Sequence, residues 1–346
     1  MTKTMPLLVN GNTGDPAVFM YLPQQKEAVL FDAGDLSALP LKELLRIRTV
    51  CISHTHIDHF IGFDRLIRAN IPHFRILNVI GPKGIIENIR GKLNSYTWNL
   101  LEPNQVNFNV YEIDASGSFK AAVISNSNGF TPVYSTKVTS TKSSSPVAFP
   151  IDCAAYEIRS IILDHGTPVC CFSLKLPDRF KVSLQKIMEL GLEPGPWISA
   201  LQNEAQSGKL SDQTEVAPGV WQSTKPLVDK ILTKLVGDKT SYVTDIVFSS
   251  ENLGRLVPFL ADSDTLICEA NFRDEHRDRA LAKRHLTTKQ AALLAAASNT
   301  KALKIFHISA IYGECSIDSE VECEGFLDTF RGIDSHALQR LIREEF

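Results

Sequence analysis

Short apolar runs punctuated by turn residues dominate the first half of the chain. Pro6 to Asn10 and Ala17 to Leu22 are two such runs, divided by the turn cluster Gly11-Asn12-Thr13-Gly14-Asp15-Pro16. Ala28 to Phe31 is a third and ends in Asp32-Ala33-Gly34-Asp35. Leu41 to Arg48 reads as a helical turn, Val50 to Ile52 as the end of a buried strand, and Phe60 to Ala69 as an amphipathic helix. Phe74 to Ile80 predicts a strand, Gly81-Pro82-Lys83-Gly84 a turn and Ile85 to Leu93 a helix. Tyr96, Trp98, Leu100 and Leu101 follow as an aromatic patch without interleaved basic residues, which favours core or interface over base stacking.

Strand-like runs then recur at Phe119 to Ser125, Val147 to Phe149 and Ala155 to Leu163. Between Asn126 and Ser145 lies a Ser/Thr/Asn/Gly-rich stretch with Lys137 and Lys142, read as a long loop or hairpin. The pattern changes between Lys175 and Thr240. Val182 to Leu190 and Ile198 to Gln206 have helical spacing, on either side of Pro194-Gly195-Pro196. Strand signals return at Ser241 to Asp245, which ends in the aspartate, at Thr265 to Ala270, and from Lys304 to His307, with Ile308-Ser309 following. Helices are predicted at Asn252 to Leu260, from Thr287 or Thr288 through Ala297, and at Ser335 to Glu345.

Composition narrows the class. The chain has 346 residues, 44% of them hydrophobic and 22% charged, which suits a globular fold. A formal charge of −3 supplies no overall attraction for nucleic acid, so an RNA substrate would need a local basic patch. Seven cysteines without a Cys-x-x-Cys pair read as reduced, partly buried thiols. No apolar run spans a bilayer and the N-terminus lacks a signal-peptide pattern, so the expected location is the cytoplasm, with no membrane partner.

The chemistry concentrates at Cys51 to Phe60. His54, His56, Asp58 and His59 fall within six residues, as His-x-His-x-Asp-His, where a strand gives way to a helix. Alternate residues of an extended segment project to one side, so His54 and His56 can grip one cation. Asp58 and His59 follow at the turn and can reach a second. Imidazoles with one carboxylate suit zinc or a similar borderline metal.

This motif is the signature of the metallo-β-lactamase superfamily, and later segments resemble ribonuclease Z, the endonuclease that removes the 3′ trailer of precursor tRNA. His165-Gly166-Thr167-Pro168 resembles the family's His-Gly-x-Pro element, and Pro194-Gly195-Pro196 the hinge of its tRNA-holding arm. Cys268-Glu269-Ala270-Asn271-Phe272 resembles His-Glu-Ala-Thr-Phe, with cysteine in place of histidine. His285-Leu286-Thr287-Thr288 resembles a His-Ser-Thr element, with leucine in place of serine. His307-Ile308-Ser309 resembles His-Phe-Ser.

The resemblance implies an α/β fold, a four-layer αββα metallo-β-lactamase sandwich, in a single domain of residues 1–346 with residues 176–240 inserted as a helical arm or flap. It implies two divalent metal ions, zinc by preference, with manganese or iron also suited to such ligands. His54, His56 and His165 would hold one, and Asp58, His59 and His307 the other, with Asp245 between them. Asp58, His285 and Glu269 would be the catalytic side chains, orienting water and protonating the leaving oxygen. Asp32 reads either as a support for a ligating histidine or as a carboxylate finishing a turn.

The implied activity is metal-dependent phosphodiester hydrolysis, with precursor tRNA as partner. A phosphodiesterase acting on a small substrate and a metal-bearing, non-catalytic binding protein are the alternatives. The mixed charge of the arm speaks for the small substrate, and the complete ligand set with Glu269 speaks against lost catalysis. Members of the family are commonly dimers, and a homodimer is compatible with the sequence.

Overall fold

The computed structural model describes residues 5–135, 139–140, 146–149 and 156–346. Lys137 and Lys142 lie outside these, as does the first residue of the run expected at Ala155 to Leu163. Two compact units are present. The larger holds most of the chain, and the smaller is formed chiefly by residues 175–238.

The larger unit is built on two sheets. Four strands at the centre of the first, Glu27–Phe31, Ile47–Cys51, Ile76–Pro82 and Asn107–Ile113, run parallel to one another. Antiparallel strands flank them, Val18–Leu22 on one side and Ser118–Ser125 on the other. The second sheet has six strands and includes Glu157–Asp164, Pro168–Lys175, Lys239–Val243, Thr265–Glu269 and Leu303–Phe306, the last three mutually parallel. Parallel strands covered on both faces become nearly continuous apolar runs. Ala28 to Phe31 and Leu266 to Cys268 are fully buried, as that arrangement requires.

The sheets lie face to face. The Phe31 ring sits 5.3 Å from Tyr242 and 6.1 Å from Phe172 across the interface. One backbone bond, Cys170 N–H to Ser53 O at 2.8 Å, joins the second sheet to the metal-motif turn. Helices cover the outer faces. Phe63–Asn70 and Ile85–Asn94 bury Phe63, Leu66, Ile67, Ile86 and Ile89 against the first sheet. Ser250–Leu260, Thr288–Ala297 and Ser316–Arg331 do the same for the second through Leu253, Leu256, Leu293 and Leu327. This is the four-layer αββα sandwich. The helix Thr288–Ala297 starts with a capping box, Thr287 accepting from the Gln290 N–H and Gln290 from the Thr287 N–H.

The aromatic patch after Asn94 divides. Trp98 and Leu101 pack on the first core and Trp98 donates to the Leu93 carbonyl, whereas Tyr96 and Leu100 are exposed.

The smaller unit departs from the helical expectation. Its helices are Leu184–Glu189, Trp197–Ser207 and Thr224–Ile231. It also contains two antiparallel strand pairs, Arg179–Val182 with Leu232–Leu235 and Gln213–Ala217 with Val220–Ser223. The helix expected from Val182 begins two residues later, because Val182 pairs with Leu232 and Ser183 caps the helix by accepting from the Lys186 N–H. A small core of Ile187, Trp197, Leu201, Val216, Leu227 and Ile231 holds the unit together. Its base is closed where Leu176 N–H donates to Asp238 O at 2.9 Å.

Candidate metal centre

The motif turn is fixed before its side chains are considered. Asp32 N–H donates to Cys51 O, Ala33 N–H to His59 O, and Gly62 N–H to Ala33 O. The Asp32-Ala33-Gly34 turn and the His-x-His-x-Asp-His segment are thereby laced together. Gly62 lies so close to the Gly34 carbonyl that a Cβ there would overlap it, which accounts for the glycine. His56 ends the extended segment and Ile57–Phe60 forms one helical turn, placing Asp58 and His59 after the bend.

Three single residues complete the centre from strand ends far away in sequence. His165 follows Glu157–Asp164, Asp245 lies two residues beyond Lys239–Val243, and His307 follows Leu303–Phe306. Asp32, Asp245 and His307 all adopt positive φ, at 55°, 51° and 56°. Non-glycine residues rarely do so, and such strain collects where side-chain direction matters more than backbone comfort.

The side chains form linked donor sets. His54, His56, His165 and Asp245 place one ligand atom each within 4.8 Å of one another, and so do Asp58, His59 and His307. Asp245 joins the sets. Its Oδ2 is 3.6 Å from His54 Nε2, 3.4 Å from His165 Nε2 and 3.5 Å from His59 Nε2, and its Oδ1 is 2.9 Å from His307 Nδ1. Asp58 Oδ2 faces His59 Nε2 at 3.5 Å and His307 Nε2 at 3.4 Å. Asp245, Glu269, His285 and His307 form a third, overlapping group.

These sets fit cations. A histidine ligates through one nitrogen when a partner occupies the other. His59 Nδ1 lies 2.8 Å from Asp32 Oδ2, His165 Nδ1 2.8 Å from the Arg284 carbonyl, and His54 Nδ1 3.1 Å from Ser53 Oγ. The Nε2 atoms of His54 and His59 are buried without a hydrogen-bond partner and face the Asp245 carboxylate. Buried polar atoms are ordinarily satisfied, so unpartnered imidazole nitrogens gathered around carboxylates point to a missing positive charge.

Electrostatics without a cation are correspondingly uneven. Burial and the neighbouring His59 push the His54 imidazole down to about 2. Burial opposes protonation of His307 too, but the Asp245 carboxylate overrides it and pushes that imidazole up to about 10. His59 moves upward against its burial for the same reason, with Asp245 and Asp32 beside it. Asp58, despite burial, is held down to about 2 by His307 and His59. At His59 and His307, protonation and cation binding compete for the same imidazole nitrogens beside Asp245.

Asp32 takes the supporting position. Its Oδ1 accepts from Ser53 N–H at 2.6 Å, and its Oδ2 accepts from Ser53 Oγ at 2.7 Å and from Tyr242 Oη at 2.6 Å, besides meeting His59. Ser53 and Tyr242 escape sequence reasoning: each belongs to a strand or its end, and only sheet-on-sheet packing brings Tyr242 to Asp32. Asn271 likewise donates to the His307 carbonyl at 2.7 Å and steadies the strained turn.

Glu269 and His285 meet as a pair. Glu269 is fully buried, its Oε1 accepting from Ile246 N–H and its Oε2 lying 2.8 Å from His285 Nδ1. Burial disfavours charge on His285, but the Glu269 carboxylate outweighs it and raises the imidazole above its ordinary range. The His285 ring lies 5.1 Å from His165 and 5.5 Å from His307.

Comparison with known proteins bears on this centre. Ribonuclease Z of Deinococcus radiodurans is 29% identical over 296 residues, which cover 83% of each chain. Ribonuclease Z of Clostridium botulinum strain Alaska E43 is 26% identical over 351 residues, covering 95% of this chain and 99% of its own. The chain is a homologue of ribonuclease Z. No family model matches it. The ribonuclease Z homologue has the metallo-β-lactamase fold: the Bacillus subtilis metallo-β-lactamase fold protein YhfI superposes with a TM-score of 0.52 at 13% identity, over 94% of each chain. Unliganded yeast PDE1 superposes with a TM-score of 0.51 at 10% identity, over 96% of each chain.

Proposed function

We propose that this ribonuclease Z homologue is a metal-dependent phosphodiester hydrolase that removes the 3′ trailer of precursor tRNA. The observation that carries the reading is the sharing of one buried carboxylate, Asp245, by two donor sets with the Glu269–His285 pair beside them. Its ribonuclease Z relatives support the substrate.

In this reading His54, His56 and His165 would hold one divalent cation and Asp58, His59 and His307 a second, with the Asp245 carboxylate facing both sets. Imidazole and carboxylate donors suit zinc. Bound there, the cations supply Lewis-acid charge and lower the pKa of water toward neutrality.

The chain's own groups do the rest. Asp58 is about a third exposed, on the open side of the second set, and so can orient the attacking water and accept its proton. His285 donates a proton to the departing oxygen. Glu269 prepares it by holding Nδ1, which leaves Nε2 for the substrate and favours the protonated ring. Asp32, with Ser53 and Tyr242 behind it, fixes the ring of His59.

No helix among the described residues is long and apolar enough to cross a membrane. Six described cysteines are free and five of them buried, which suits the reducing cytoplasm. We read the unit of residues 175–238 as an arm inserted into a single catalytic domain.

The test is to incubate the purified protein with a precursor tRNA carrying a 3′ trailer, before and after chelation and with zinc restored. Release of one discrete trailer, lost on chelation and recovered with metal, is the expected result. Hydrolysis of a chromogenic phosphodiester with no cleavage of the precursor would overturn the tRNA reading.

A further inference from the structure

We propose that Arg284 holds a phosphate of the RNA strand beside the scissile one, and so is a substrate-positioning residue that favours polynucleotides over small phosphodiesters. This rests on the nuclease reading above. Three observations converge on this side chain.

The first is its seat. Gly166, one residue beyond His165, has φ +82°, and a Cβ there would overlap the Arg284 guanidinium. The guanidinium therefore lies against bare backbone next to one histidine of the centre and one residue before His285. The second is its backbone. Arg284 ends the helix Arg277–Lys283 at φ 63°, a left-handed position where glycine is the unstrained choice. Arginine occupies it all the same, and its carbonyl accepts from His165 Nδ1 at 2.8 Å.

The third is its charge. Arg284 is exposed and pairs with no carboxylate among the described residues. Asp164, two residues before Gly166, turns Oδ1 to the Gly166 N–H at 2.7 Å and makes no ion pair with Arg284. By contrast Arg277 pairs with Glu345 and Arg273 with Asp318, and Arg279 lies over the Phe272 ring. A planar fork of donors, unpaired at the edge of a site that handles phosphodiesters, matches a phosphate oxygen pair.

A small phosphodiester has one phosphate, which the centre itself would take. A polynucleotide brings the next one along, and contacts of that kind set register rather than sequence. Arg284 would therefore matter for RNA and little for the small ester.

The experiment compares wild type, Arg284→Gln and Arg284→Lys on precursor tRNA and on bis-p-nitrophenyl phosphate, across a salt series. Zinc content and circular dichroism of each are measured alongside. Arg284→Gln should raise KM for the precursor about tenfold, more than it affects the small ester. It should also make the logarithmic salt dependence shallower by about 0.7, one phosphate contact on a single strand. Arg284→Lys should restore the salt slope but only part of KM. Equal losses on both substrates, an unchanged salt slope, or loss of zinc in Arg284→Gln would overturn the proposal and leave the nuclease reading standing. A wild type that hydrolyses the ester but not the precursor would overturn both.

Discussion

The candidate metal centre and the unit of residues 175–238 are built on opposite principles. The centre gathers charge. Asp245, Glu269 and Asp32 are buried almost completely, and each is held by imidazoles, hydroxyls or backbone donors. The smaller unit disperses charge, carrying basic and acidic side chains in equal numbers, and its core of about half a dozen apolar residues uses no ionisable group. A residue in the centre is therefore constrained by many partners at once, and a residue in the smaller unit by few. Chemistry should be brittle toward substitution in the first region, and tolerant, with effects confined to substrate binding, in the second.

The largest effect should come from Asp245→Ala, which removes the one carboxylate among the described residues that faces both donor sets. Hydrolysis of any phosphodiester should fall to background and zinc content should drop together with it, measured by turnover and by elemental analysis. Retained activity would break the contrast outright. Next, His285→Ala should lower kcat by roughly 10²- to 10⁴-fold, the usual worth of a positioned proton donor, while zinc content stays at the wild-type value. Steady-state kinetics with a matched metal assay separates this from Asp245→Ala.

A smaller effect is expected at Tyr242→Phe. The hydroxyl lost there touches Asp32, not the donor sets themselves. Zinc affinity should weaken by about 10- to 100-fold in a chelator competition, with kcat nearly restored at saturating zinc. The smallest effect belongs to the other region. Replacing residues 177–237 with a short linker is geometrically allowed because Leu176 and Asp238 already meet. If the unit binds tRNA, KM for the precursor should rise about tenfold while small-ester hydrolysis persists. Equal loss on both substrates would place the unit in folding rather than recognition.

The same contrast explains how much the sequence disclosed. The motif at His54 to His59 is local, so its residue types and spacing carry its meaning directly. His165, Asp245 and His307 are single residues at separate strand ends. Periodicity located the strands, but resemblance to ribonuclease Z was needed to distinguish these three from ordinary strand-end residues. Asp32 could be read two ways until strand pairing brought Ser53, and sheet packing Tyr242, onto the same carboxylate. The role of the Arg284 carbonyl was invisible, since backbone atoms leave no trace in residue identity.

The strands of the smaller unit were missed for another reason. Gln213–Ala217 alternates exposed and buried positions, but its inward residues are Thr214 and Val216, and the threonine hides the pattern. Thr214 is satisfied internally, its hydroxyl 2.8 Å from that of Thr224. Arg179–Val182 does alternate polar and apolar residues, but over only four positions and with none fully buried, so the period is too short to stand out.

The most direct test of the shared-carboxylate centre is metal stoichiometry by elemental analysis after zinc loading and exhaustive dialysis, on wild type and Asp245→Asn together. Two equivalents per chain in the wild type, with both weakened by the single substitution, is the result this account predicts. One equivalent in the wild type, or full retention of both in Asp245→Asn, would contradict it.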